Sequence, residues 1–162
     1  MGRVGGEQLL SIGPNCLRTG VIIHEIMHAL GFFHEHSRPD RDEHITVELE
    51  NLRPGMEHNF LTLNLRNWFN MSIPYDTKSV MHYSGYAFAA DKSKPSITYI
   101  GTGNPVRAQR IGMSILDKGP GSLSKVYRPC MHIFPFKALN PDWDVVISGW
   151  LLLLGSLKSV KM

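Results

Sequence analysis

Apolar residues fall in short, interrupted blocks along this chain, and the breaks limit its elements as much as the blocks define them. Leu9, Leu10 and Ile12 form a brief run closed by Gly13-Pro14, which predicts a turn and one strand. Between Val21 and Leu30 the chain is apolar enough for a buried helix, beginning near Leu17. The stretch from Ser37 to His44 is charged and carries Pro39. It predicts an ordered loop in which Arg38, Asp40, Arg41 and Asp42 can form an ion-pair cluster, a structural network rather than a catalytic one, with a solvated face as the alternative. Pro54-Gly55 restricts any helix between Val47 and Phe60 to short pieces. Met113 to Tyr127 has helical spacing, but Gly119-Pro120-Gly121 interrupts it. The apolar run from Val145 to Leu154 is well short of the roughly 20 residues that cross a bilayer. No internal repeat is visible.

The segment His24-Glu25-Ile26-Met27-His28-Ala29-Leu30-Gly31-Phe32-Phe33-His34 carries the chemistry. Helical residues four apart lie about 40° apart around the axis and roughly 6 Å from one another, so His24 and His28 can offer ring nitrogens to one ion. Glu25 lies about 60° from His28 around the same helix, within reach of a water on that ion without becoming a ligand. A helix continued past Leu30 would carry His34 away. Gly31 is the residue able to take the left-handed turn that ends the helix and brings His34 back as a third ligand. Three imidazoles on zinc leave a fourth position for water, whose pKa zinc lowers to about 7. An H-E-x-x-H pair can also serve packing or solvent contact. Here the third histidine, the glycine and the apolar surroundings favour metal, because unpaired buried histidines are costly.

Composition adds bounds. With 43% hydrophobic and 19% charged residues, 162 residues suit one compact globular module. The net charge of +3 is spread along the sequence without the clustered basic stripe of a nucleic-acid surface.

His24 to Asp42 reads HEIMHALGFFHEHSRPDRD and resembles the signature H-E-x-x-H-x-x-G-F-x-H-E-x-x-R-x-D-R-D of the astacin family of zinc metalloendopeptidases, which are metzincins. Ser79-Val80-Met81-His82-Tyr83 resembles the family's Met-turn, S-x-M-H-Y. The similarity runs from Gly2 to about Cys130. It implies an α+β, zincin-like fold, with residues 1–130 a partial metallopeptidase domain and 131–162 a divergent tail. It also implies one zinc ion on His24, His28 and His34, with Glu25 acting as general base and then general acid. Internal peptide bonds of protein or peptide substrates would be hydrolysed through a zinc-bound water. Met81 would form the floor beneath the metal, although core filling explains it equally. Tyr83 would be a mobile phenol that bonds the developing oxyanion; its alternative is a cleft-wall aromatic. His36, His44, His58, His82 and His132 are expected at the surface or around the site, with no assigned role.

Other implications follow from the same resemblance. The chain is expected to begin inside the catalytic domain, without the edge strand that would pair with an extended substrate. Glu35 matches the glutamate that receives the mature N-terminus and is therefore expected to be a buried carboxylate without its partner. Cys16 and Cys130 would belong to different disulfides and here be two free thiols, or else bond each other. The family's preference for an acidic side chain after the scissile bond would fall to Lys92, Lys94 or Arg107. The family is secreted, yet residues 1–8 lack the apolar core of a signal peptide. Asn70-Met71-Ser72 is a glycosylation sequon that matters only on that route. A rival reading is a catalytically inactive zinc-binding fragment or interaction protein that lacks the upper half of the cleft. A further one tethers the chain to a membrane through the apolar tail.

Overall fold

The computed structural model describes residues 9–10, 12–13, 16–64, 73–119, 136–140 and 143–147. Asn70, Cys130, His132 and most of the apolar tail run lie outside these, as does the continuation of the 113–127 segment past Gly119.

The chain is α+β. Strand β1 (Leu9–Leu10) leads to helix α1 (Thr19–Ala29), whose buried Gly20, His24 and Met27 mark its inward face. The helix ends as the sequence predicts: Leu30 is still helical, Gly31 turns left-handed at φ 99°, and Phe32 follows. The Gly31 amide donates to the His28 carbonyl (3.0 Å) and the Phe32 amide to the Met27 carbonyl (2.9 Å). This paired closure satisfies the last carbonyls and sets Phe32 beside Met27 in one apolar cluster.

Strand β2 (Ile45–Val47) pairs antiparallel with β3 (Ile97–Tyr99), with Ile45 opposite Tyr99 and Val47 opposite Ile97. Around them Ile45, Leu52, Phe60, Ile97 and Val106 make the larger core. Met27, Phe32, Val80 and Met81 make a second one under α1. The short turn 81–83 joins the two, because Met81 belongs to the second core while Tyr83 packs on the first. Between Val47 and Phe60 the helical pieces are single 3-10 turns, Leu49–Asn51 and Glu57–Phe60, as the Pro54-Gly55 break requires.

Helix α2 (Ile115–Lys118) is one turn long, and Ser114 and Asp117 cap each other across its start. Strands β4 (Phe136–Asn140) and β5 (Trp143–Ile147) pair antiparallel, and β4 lies parallel to β1, with Leu9 opposite Lys137. No pattern in the sequence calls for strands there. The apolar and β-branched residues at 145–147 suit a strand of this length as well as they suit a loose tail.

Candidate metal centre

Helix α1 and the turn after it bring His24, His28 and His34 together, so that one nitrogen of each lies within 4.8 Å of the others. The Nε2 atoms of His28 and His34 are 3.0 Å apart, and those of His34 and His24 are 3.3 Å apart. The other ring nitrogens explain this convergence. His24 Nδ1 lies 2.8 Å from the Val80 carbonyl and His28 Nδ1 lies 2.9 Å from the Phe32 carbonyl. A carbonyl only accepts, so both Nδ1 atoms carry the proton and both Nε2 atoms present lone pairs inward. His34 Nε2 stands between these two, and a cation among the three nitrogens would be shared by their lone pairs. Nitrogens bound tetrahedrally at about 2.0–2.1 Å stand about 3.3 Å apart, so the cluster fits zinc.

Burial keeps the His24 and His34 rings neutral. Desolvation pulls the His24 pKa down to about 4, against the hydrogen bond to Val80 that raises it. Desolvation, then the charges of neighbouring histidines, pulls His34 down to about 2. At neutral pH these nitrogens are therefore available as ligands.

Tyr83 lies against the third histidine, its ring 4.4 Å from that of His34 and stacked at 3.9 Å on His36. Burial raises its pKa, so the phenol keeps its proton and remains a donor. Its backbone is held from behind: His82 Nδ1 donates to the Tyr83 carbonyl (2.7 Å), which leaves His82 Nε2 to accept from the Tyr75 hydroxyl (2.8 Å). His82 and His36 are fully buried rather than superficial, and burial lowers their pKa values to about 4 and about 3. His44 and His58 are exposed. Met81, 2% exposed, packs in the core beneath α1.

Glu25 is half-buried, and its charge bears on both Tyr83 and Arg110. Among the described residues, Arg110 brings a positive charge to this site. Burial lowers its pKa, the charge of Glu25 opposes that shift, and its own charge depresses His24 and His34. Its guanidinium donates to the His82 carbonyl at 3.0 Å. Lys92, Lys94 and Arg107, the sequence candidates for an acid-binding cation, are exposed. Arg110 carries no signal in the sequence because its approach depends on a tertiary contact: the Arg110 carbonyl lies where a Cβ on Gly20 would stand, 1.9 Å away.

Glu35 corrects an expectation. It is 2% exposed but not without a partner, since Arg38 Nη1 donates to Oε1 at 3.0 Å and the Asp76 amide donates to the same oxygen at 3.0 Å. Arg38 also holds Asp40 through both Nε and Nη2, at 2.8 and 2.6 Å. Arg41 pairs with Asp42, but Arg38 is wholly buried, so the loop is a structural network rather than a solvated face. Cys16 is exposed with a free thiol.

The chain is similar to known proteins. The family model Astacin, which describes a family of peptidases, matches residues 1–126. Protein SpAN of Strongylocentrotus purpuratus is 46% identical over 112 residues, which are 68% of this chain and 18% of that protein. Astacin-like metalloendopeptidase of Mus musculus is 44% identical over 119 residues, 72% of this chain and 26% of that one. The chain thus spans about a fifth to a quarter of these relatives. Among solved structures, high choriolytic enzyme 1, a hatching enzyme zinc-protease from Oryzias latipes, aligns with a TM-score of 0.54 and 42% identity, covering 60% of this chain and 48% of that one.

Proposed function

Since this chain belongs to the astacin family of peptidases, we propose that it holds one zinc ion on His24, His28 and His34 and hydrolyses internal peptide bonds of proteins. The observation that carries this reading is the inward convergence of three imidazoles whose Nε2 atoms stand 3.0 and 3.3 Å apart. Zinc in that position supplies a Lewis acid that makes water a nucleophile near neutral pH and polarises a peptide carbonyl. Glu25 takes the proton of the attacking water and passes it to the departing amine. Tyr83, kept protonated by burial, donates to the oxygen on which negative charge develops. Met81, in one apolar cluster with Met27, Phe32 and Val80, would give the metal site a rigid floor. Arg110 offers its charge to an acidic substrate side chain beside the reacting bond.

The same resemblance assigns this activity to the outside of the cell. Among the described residues no helix is long and apolar enough to cross a membrane.

The test is zinc content of the purified chain measured beside cleavage of an unfolded protein, with a chelator and with Glu25→Ala as controls. One equivalent of zinc and chelator-sensitive cleavage that disappears in Glu25→Ala is the expected result. Unchanged turnover in the variant would refute the role of Glu25. Zinc without cleavage would leave a binding module in place of a peptidase.

A further inference from the structure

The support behind His24 extends much further than its carbonyl partner. The Val80 carbonyl that accepts from His24 Nδ1 (2.8 Å) shares a peptide unit with the Met81 amide. That amide donates to Ser79 Oγ at 3.0 Å, and Ser79 Oγ lies 2.7 Å from Asp117 Oδ1. The directions are forced. A carboxylate accepts, so the Ser79 hydroxyl gives its proton to Asp117 and accepts from Met81 with a lone pair. Every donor in the series therefore points the same way, from imidazole to peptide to hydroxyl to carboxylate. The other carboxylate oxygen, Oδ2, accepts from the Val80 amide (2.9 Å) and from the Ser114 amide (3.0 Å). Ser79 and Val80 are 0% exposed, Asp117 1% and Met81 2%, so no water screens the series.

We propose that Asp117 is a positioning residue for the metal site, acting on His24 through Ser79 and the Val80–Met81 peptide; this rests on the zinc reading above. Hydrogen bonds in series polarise one another, and a charge at the end strengthens all of them. Asp117 thus makes Ser79 Oγ a better acceptor, the peptide carbonyl more negative, and the His24 Nε2 lone pair more basic toward a cation. It also fixes the ring plane, because both faces of Val80 are held. Partners one layer out from a metal ligand typically change metal affinity by about 10–100-fold, and this series is a longer version of that arrangement.

Three variants separate this role from ordinary support. Asp117→Asn removes the charge while leaving a side chain of the same shape. Ser79→Ala cuts the series but keeps both amide bonds to Asp117 Oδ2. Ser114→Ala breaks the cap of α2 and leaves the series intact. Zinc affinity of each full chain, measured by competition with a chromophoric chelator, is expected to fall about tenfold for Asp117→Asn and for Ser79→Ala, and to stay within about twofold for Ser114→Ala. If Asp117→Asn does not fold, Ser79→Ala decides. Equal losses in all three variants, or no loss in Ser79→Ala, would overturn the series. Failure of the unmodified chain to bind zinc would overturn the zinc reading itself, and this inference with it.

Discussion

Gly20→Ala puts the contact between α1 and the Arg110 segment to a quantitative test. The new Cβ would stand 1.9 Å from the Arg110 carbonyl oxygen, 2.1 Å from its carbon and 2.8 Å from its Cα, where ordinary contact begins at 3.4 Å. All three atoms are backbone, so no side-chain rotation relieves the clash; the helix and the segment must separate by about 1.5 Å. Overpacking of this kind costs about 1–3 kcal/mol. Moving Arg110 also loosens its charged hydrogen bond to the His82 carbonyl, which adds about 1.5–3 kcal/mol if lost. Alanine in a helix returns about 1 kcal/mol relative to glycine. The balance is a loss of about 1.5–5 kcal/mol, or roughly 3–20 °C in melting temperature for a chain of this size. The same shift displaces groups around Glu25, and about 1 Å of misplacement costs about 100-fold in rate. Thermal melting of the zinc-loaded chain and cleavage of an unfolded substrate measure both effects. Gly112→Ala is the control, since nothing lies within 4 Å of its added carbon. A Gly20→Ala chain that melts within about 2 °C of the unmodified protein, with full activity, would show that the helix and the segment do not meet in this way.

Arg38→Ala leaves Glu35 buried and without its guanidinium, so urea unfolding should show a loss of about 3–5 kcal/mol; a loss below about 1 kcal/mol would contradict the buried pairing. His36 and His82 are neutral when folded, with pKa values lowered to about 3 and about 4, but take a proton near pH 6.5 when unfolded. The unfolded chain therefore binds more protons below pH 6.5, and stability falls as pH drops from 6.5 toward 4, by up to about 1.4 kcal/mol per pH unit for each ring. Urea midpoints of the zinc-free chain across that window should show the decline, and His36→Gln should reduce its slope; a flat profile would refute it. Arg110→Ala should cut kcat/KM for peptides with an acidic side chain after the scissile bond about 10–100-fold relative to alanine-containing analogues, and an unchanged ratio would remove Arg110 from that role.

The local part of the site is legible in the sequence because its geometry depends on spacing. Two histidines one helical turn apart and a glycine that can turn left-handed are enough to predict that His24, His28 and His34 meet, and Gly31 takes the conformation that this requires. What the sequence hides depends on tertiary contacts. Arg110 comes to the site on a backbone approach to Gly20, far earlier in the chain, and no periodicity announces such a contact. Asp117 reaches Ser79 across 38 residues. The resemblance directs the search for a partner of Glu35 to a distant terminus, whereas Arg38 lies three residues on, brought round by a 3-10 turn. His36 falls at a variable position of the signature, and His82, though fixed in the Met-turn motif, is given no role by it; their burial follows from the rings and carbonyls that surround them.

The contrast in span between these contacts has a consequence for the order in which the chain assembles. His28 and His34 are six residues apart and His24 and His34 ten, whereas the bond from His24 to the Val80 carbonyl closes 56 residues. Closing the longer loop costs about 2 kcal/mol more in chain entropy than closing the shortest. The three imidazoles can therefore gather on one helix and one turn before the 79–83 segment docks, and an ion captured at that stage would serve as a template on which the rest of the protein condenses.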